Sequence, residues 1–260
     1  MKKLMMLGVG FLWCSALVQA QEYKTKLANS KDRKVTIELA ASELKIEGYN
    51  GEELIIQSNS PIQATPERAK GLKPLYYSSV DNSGIGLSVT PDAGGIKIEK
   101  ATRNAMKYTI KVPRKVSVLY QEANWQGGST ITINNLDGDL EIRTNTADIN
   151  LLNVTGPVVA NSTSGDIKVV YSSLSQQKPT AISTVSGVVD ISLPAATKST
   201  MKLQSISGEI YTDFDLGIKK SKDGLNQIAI GNSISGSTNG GGVEMQLNTI
   251  NTNIYIRKQK

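Results

Sequence analysis

Histidine is absent from all 260 residues. That excludes Ser-His-Asp and Cys-His catalysis and most zinc sites, since each needs an imidazole. The one cysteine, Cys14, lies in the N-terminal stretch. The remainder therefore has no disulfide and must be held by packing alone. Aromatics make up only 5% of the chain, with two Trp and two Phe, which is thin material for a ring-lined sugar groove. No later stretch approaches the roughly eighteen apolar residues of a membrane span. Helix formers are sparse, and no amphipathic helix emerges. The 29 basic and 23 acidic residues are interspersed, so no basic stripe is offered to a nucleic acid.

The N-terminus has its own pattern. Lys2 and Lys3 precede the apolar run Leu4–Trp13, and Val18-Gln19-Ala20 fits the small-x-small cleavage rule. Residues 1–20 are expected to be a secretory signal peptide, leaving a mature chain from Gln21. Trp13 stands where a lipobox wants a small residue, so Cys14 is not read as a lipid anchor. Without Lys2 and Lys3, 27 basic residues face 23 acidic ones. That balance favours solubility and weak attraction to anionic glycans or headgroups.

Short alternating runs recur: VTIEL (35–39), LKIEG (44–48), LIIQS (54–58), IKIEK (96–100) and YTIKV (108–112). Each reads as a half-buried strand. Residues 134–169 divide into four nonamers: NNLDGDLEI, RTNTADINL, LNVTGPVVA and NSTSGDIKV. Their seventh and ninth positions are Leu140/Ile142, Ile149/Leu151, Val158/Ala160 and Ile167/Val169. Residues two apart on a strand share a face, so these eight point to one interior. The fifth position is Gly138, Ala147, Gly156 or Gly165, a small residue where the chain turns, with φ > 0 expected. The third position alternates apolar and polar, so the repeat is eighteen residues and one coil has two sides. Stacked coils place matched residues about 4.8 Å apart and complete one another's core.

From Gly165 the pattern continues at Gly187, Gly208 and Thr252, in steps of 22, 21 and 44 residues. The extra length falls in the polar segments 172–179 and 194–199, read as loops that cost little. Residues 31–58 already show the strand–turn–strand rhythm. Between Pro61 and Gly95 it degrades into an irregular cap, which a solenoid end needs. Residues 231–242 read as a long surface loop before the closing strands VEMQL and NIYIRK. The expected fold is an all-β, single-domain β-solenoid (a parallel β-helix) over 21–260. Residues 107–260 carry the clearest repeats and 21–106 are less regular. A right-handed coil is expected, as for parallel crossovers in general.

The stretches LDGDLEI, STSGDIKV, TVSGVVDISLPAATKSTMKLQSISGEIYTDF and GGGVEMQLNTINTNIYIRK resemble the bacterial "putative adhesin" domain of unknown function. The resemblance covers most of the mature chain, best from Lys107 onward. Its recurrent element is a Ser-Gly-acid-apolar turn entering a short strand, present at Ser164–Ile167 and Ser207–Ile210. Ala147 and Thr252-Asn253 depart from it. The resemblance implies a β-solenoid and a role in surface adhesion or envelope stress. It carries no functional residues over.

Candidate chemistry is limited. Asp139, Asp148 and Asp166 all follow the turn residue, and Asp148 and Asp166 are eighteen apart. Stacked carboxylates could bind calcium or, with Asp190, serve a polysaccharide lyase or hydrolase. The preferred reading is a turn aspartate bonding backbone N–H groups, because calcium rolls need a denser Gly-Gly-x-Gly-x-Asp pattern. Asp213 and Asp215 flank Phe214 as a solvated face with the ring packed inward. Ser-x-x-Lys occurs at Ser42–Lys45, Ser175–Lys178 and Ser199–Lys202. That motif opens a helix in known enzymes, and here it falls in strands and turns. Gly84-Ile85-Gly86 and Gly240-Gly241-Gly242 read as turns, since no strand–Gly-loop–helix context surrounds them. Trp125 with Tyr76, Tyr77, Tyr108 and Tyr120 could form a sugar platform, but core or cap packing is preferred.

No catalytic, cofactor-binding or metal-binding residue is therefore assigned. The sequence reads as an exported, non-catalytic, adhesin-like binding or structural module of the cell envelope, periplasmic or on the cell surface. Its candidate partners are an envelope glycan, a lipid headgroup or a membrane protein. An envelope-stress regulator and a carbohydrate-active β-helix enzyme are the alternatives. N-terminal sequencing of the exported protein is expected to begin at Gln21; an intact Met1 on protein recovered outside the cytoplasm would refute the signal-peptide assignment.

Overall fold

The computed structural model describes residues 21–27, 33–40, 42–61, 66–72, 79–124, 129–218 and 233–259. The expected signal peptide, Tyr76, Tyr77 and Trp125 lie outside the described residues. Twenty strands follow in chain order among these residues. They begin with β1 (Glu22–Lys26), β2 (Lys34–Leu39), β3 (Ser42–Tyr49), β4 (Glu53–Ser58), β5 (Leu87–Asp92), β6 (Gly95–Lys100) and β7 (Met106–Pro113). Then come β8 (Ser117–Glu122), β9 (Thr130–Asn134), β10 (Leu140–Arg143), β11 (Asp148–Val154), β12 (Val158–Ser162), β13 (Ile167–Tyr171) and β14 (Thr180–Thr184). The last are β15 (Val189–Leu193), β16 (Ser199–Ser205), β17 (Ile210–Thr212), β18 (Ser233–Thr238), β19 (Glu244–Thr249) and β20 (Ile254–Lys258). The one helical element described is a 3-10 turn at Glu67–Ala69, and no helix there is long and apolar enough to cross a membrane.

The strands form two ten-stranded sheets with a shared apolar interior. The front sheet runs β1-β4-β7-β3-β9-β11-β13-β15-β20-β17, and the back sheet runs β18-β16-β19-β14-β12-β10-β8-β2-β6-β5. One back strand and the following front strand make a rung, so the chain is a flattened two-sided β-solenoid. The eighteen-residue period is the rung. Leu140 pairs in parallel with Val158, and Ile149 with Ile167. All eight inward positions of the nonamers are buried, at 2% exposure or less.

Rung order departs from chain order at both ends. Rung β19/β20 sits between β14/β15 and β16/β17, so Thr252 lies between Gly187 and Gly208 rather than beyond them. The expected sequential stacking is thus corrected, and the inward patterns give the reason. Rung β19/β20 buries Met245, Leu247, Ile254 and Ile256, which suits an interior place. Strand β17 keeps only Ile210 partly buried, which suits an end. Likewise β2/β3 sits between β6/β7 and β8/β9. Residues 233–238, expected as loop, are the strand β18, antiparallel to β16. A terminal strand needs few apolar residues, so its Ser and Gly content disguised it. Strand β5 covers the other end of the back sheet, and β1 and β4 that of the front sheet, all antiparallel. Within the segment expected as an irregular cap, β5 is thus a strand that covers one edge of the back sheet.

At the corner from back strand to front strand, neighbouring rungs approach very closely. An added Cβ on Gly165 would lie 2.0 Å from the Ala147 carbonyl oxygen, and one on Gly187 would lie 2.0 Å from that of Gly165. The corner glycines Gly138, Gly156, Gly165, Gly187 and Gly208 are not among the residues with positive φ. The expected left-handed turn is thus corrected: glycine is needed because the neighbouring rung's carbonyl occupies the Cβ position. Three residues before Gly165, Gly187 and Gly208, the glycines at the corner from back strand to front strand, stands a buried hydroxyl. Ser162, Thr184 and Ser205 accept the N–H of Gly165, Gly187 and Gly208 at 2.8, 3.1 and 2.9 Å. Thr184 and Ser205 also donate to the carbonyls of Gly165 and Thr252, at 3.5 and 2.8 Å. Thr252, in a glycine's place, donates its hydroxyl to the Gly187 carbonyl. In rung β8/β9 the same column holds Glu122, which accepts the N–H groups of Asn145 and Thr146.

The opposite corner, which holds Gly138 and Gly156, has the same close approach, with an added Cβ 2.0 and 2.1 Å from the carbonyl oxygens of Val116 and Gly138, but different side-chain chemistry. Asn135 and Asn153 adopt φ of 59° and 55°, a conformation asparagine tolerates. Asn153 donates to the Asn135 side chain at 3.3 Å. Arg114 forms a forked pair with Asp137 at 2.9 and 3.2 Å, and that contact holds the Asp137 carboxyl below its ordinary range.

Gly187→Ala is expected to destabilise the protein by about 2–4 kcal/mol through backbone overlap, and Thr184→Val by about 1–3 kcal/mol through an unsatisfied buried N–H. Urea unfolding checks both, and wild-type midpoints would contradict this account of the corners.

Candidate functional site

The aspartates that drew attention in the sequence are engaged in holding rungs together. Asp148 accepts the Asp166 N–H at 2.9 Å, and Asp166 accepts the Val188 N–H at 2.7 Å. Asn253 repeats the device for the Glu209 N–H at 2.8 Å. The preferred turn reading thus holds, with the partner on the next rung rather than in the same turn. Among the described residues no group of three or more His, Cys, Asp or Glu side chains is placed to hold a metal ion. Asp139 pairs with Lys178 at 2.6 Å, and Asp190 forms a forked pair with Arg257 at 2.9 and 3.0 Å. Asp148, Asp166 and Asp190 share the outer side of the front sheet, yet each has its own backbone or arginine partner.

The remaining candidates separate. Asp213 and Asp215 lie beyond β17 and accept the N–H of Lys258 and Gly217, at 2.8 and 2.9 Å. Phe214 between them is buried. Ser42 and Ser199 point inward and bond the carbonyls of Ala40 and Val243. Three residues on, Lys45 and Lys202 are exposed and pair with Glu47 and Glu244. Gly84 and Gly86 belong to a turn organised by the Asp81 carboxylate, which accepts N–H groups from Ser83, Gly84 and Gly86. Gly240 and Gly241 have positive φ in a turn. Tyr108 and Tyr120 are core residues, 1% exposed, and burial raises both phenol pKa values.

The outer face of the front sheet brings together two features that the sequence reading missed. One is a cleft of about 210 Å³ across β7, β3 and β9, lined by Glu43, Lys45, Asn59, Lys107, Thr109, Thr130 and Thr132. The strand register sets these out as a grid, with Lys107 beside Glu43 in one row and Thr109, Lys45 and Thr132 abreast in the next. Lys107 pairs with Glu43 at 2.7 Å, and Asn59 donates to the Thr109 hydroxyl at 2.8 Å. The other feature is at the opposite end of the sheet. There Tyr211 stacks on Tyr255 with centroids 5.3 Å apart and planes within 9°. The Arg257 guanidinium lies 5.1 Å from the Tyr255 ring centre.

Residues 134–256 match the family described as Toastrack DUF4097. Its β-solenoid-like fold agrees with the eight rungs, and the "putative adhesin" resemblance agrees with the family. Solved structures similar to the chain include a "putative cell adhesion protein" from Clostridium sporogenes, 11% identical with a TM-score of 0.48, covering 93% of this chain and 100% of that one. Another is a "putative adhesin" from Bacteroides fragilis, 12% identical with a TM-score of 0.37, covering 92% and 96%. A third is a "putative lipid binding protein" from Parabacteroides distasonis, 13% identical with a TM-score of 0.26, covering 92% and 96%. No curated protein matches the sequence. The matched stretch contains the tyrosine stack and the aspartate ladder, whereas the cleft is built entirely from residues before it.

Asp166→Ala is expected to cost about 1 kcal/mol by freeing the Val188 N–H. Millimolar calcium or a chelator should leave the melting temperature of the parent protein unchanged. A calcium-dependent rise that Asp166→Ala abolishes would overturn the structural role given to this ladder.

Proposed function

We propose that the protein is an exported, non-catalytic, adhesin-like binding module of the cell envelope, and that its ligand is an envelope glycan met by the outer face of the front sheet. Residues 21–260 act as one unit in this reading, after removal of residues 1–20. The observation that carries it is the employment of the candidate acids. Asp139, Asp148, Asp166 and Asp190 are each bonded within the scaffold. Beside them the face presents hydroxyls, an amide, lysines and a stacked tyrosine pair, groups that bind sugars by hydrogen bonding and ring contact. A preformed flat array is suited to a polymer, because many weak contacts add along it.

The test is co-sedimentation of the mature protein with purified peptidoglycan sacculi and with insoluble acidic polysaccharide, beside anionic lipid vesicles. Retention on a polysaccharide and not on vesicles is expected. Retention on vesicles alone would move the ligand to a lipid headgroup. Capture of one stoichiometric membrane protein from intact envelopes, with no polysaccharide binding, would make the protein an envelope-stress regulator instead.

A further inference from the structure

We infer that the cleft across β7, β3 and β9 is a subsite for a carboxylate-bearing sugar unit, with Lys45 as its anion contact. This rests on the glycan reading above and gives it a place and a ligand class. The shape comes from side-chain length. Thr109, Thr130 and Thr132 are short, while Glu43 and Lys45 on the middle strand and Lys107 on β7 are long and rise among them. Thr109 and Thr132 flank β3 in one row, two strand spacings or about 9.6 Å apart, so they can bond groups at opposite sides of one sugar unit while Lys45 lies between them.

The charges in the cleft are not equivalent. Lys107 is held against Glu43 at 2.7 Å. Lys45 is 3.8 Å from Glu47, too long for a hydrogen bond. It stands in register between Thr109 on one side and Thr132 on the other. An ammonium has three N–H donors, so Lys45 offers a cation with a hydroxyl on either flank. That set matches a sugar carboxylate with an adjacent ring hydroxyl. A neutral sugar would leave the cation unused, and a bare anion would leave the hydroxyls unused. Threonine is also a good strand former, which explains its frequency here but not the placing of a lysine between two of them. The mature chain's excess of 27 basic over 23 acidic residues adds long-range attraction toward an acidic polymer. A uronate polysaccharide supplies this chemistry on the sugar itself, and wall peptidoglycan supplies free carboxylates on the stem peptides beside its sugars.

The experiment measures binding of the mature protein to polygalacturonate, to purified sacculi and to neutral dextran, with Lys45→Gln, Thr132→Val and Lys202→Gln. Lys202 is on the outer face of the back sheet and serves as a control for general charge. Binding to at least one acidic polymer and not to dextran is expected, and which polymer binds identifies the source. Lys45→Gln should weaken it about tenfold, as for loss of one charge-assisted hydrogen bond. Thr132→Val should weaken it about threefold at unchanged melting temperature, and Lys202→Gln should leave it as in the parent. Equal binding of dextran, or equal loss in Lys202→Gln, overturns the subsite. If the parent binds an acidic polymer and Lys45→Gln binds it equally, the cleft assignment falls while the glycan reading stands. If the parent binds no polysaccharide, both fall.

Discussion

The whole solenoid depends on how closely one rung approaches the next at the corner between the sheets. There a backbone carbonyl lies where the neighbouring rung's Cβ would be, 2.0 Å from that position at Gly165 and at Gly187. Removing the side chain brings the backbones together, and the approach leaves buried N–H and C=O groups without water. Such groups must find partners inside the protein. The buried hydroxyls of Ser162, Thr184 and Ser205 meet that need, because a hydroxyl can accept one bond and donate another. Close approach and polar satisfaction are therefore one device, repeated along the edge.

This device relieves the rest of the structure of a disulfide or metal. Inward pairs such as Ile149/Leu151 and Ile167/Val169 are fully buried. They stack in register because the corners fix the rung height. The outer faces are then free to vary. The aspartate ladder, the Arg257–Asp190 fork and the Tyr211–Tyr255 stack are additional ties between rungs at the surface. Partly exposed pairs of this kind contribute little each, so they tune the surface more than they hold it.

Much of the scaffold was legible in the sequence because its period is short. The inward pairs, the eighteen-residue rung and the corner positions all lie within 134–169, where the chain order and spatial order agree. The corner hydroxyls were equally open to view as Ser162-x-x-Gly165, Thr184-x-x-Gly187 and Ser205-x-x-Gly208. Such a pattern is inconspicuous in a chain this rich in Ser and Thr. The left-handed turn was a mistaken inference from the residue type, since glycine can answer to crowding as well as to φ. The cleft was not legible at all. Its floor and walls come from β3, β7 and β9, and β3 reaches its place between the other two only by a strand insertion that no periodicity reports. Tyr211 and Tyr255 are likewise 44 residues apart in sequence and adjacent because β20 is inserted.

That insertion at each end bears on how the chain acquires its structure. A solenoid stacked in chain order can grow behind an emerging polypeptide, each turn closing on the one before. Here the turn made by 244–258 must enter between two turns laid down earlier, and the turn made by 34–49 stays open on one side until 117–134 arrives. Assembly is therefore not vectorial at its ends: the middle rungs can form as a nucleus, and closure waits for pairings distant in sequence. Such pairings are slow to find, so the ends should be the last parts to become protected against hydrogen exchange, with the final turn acting as a keystone.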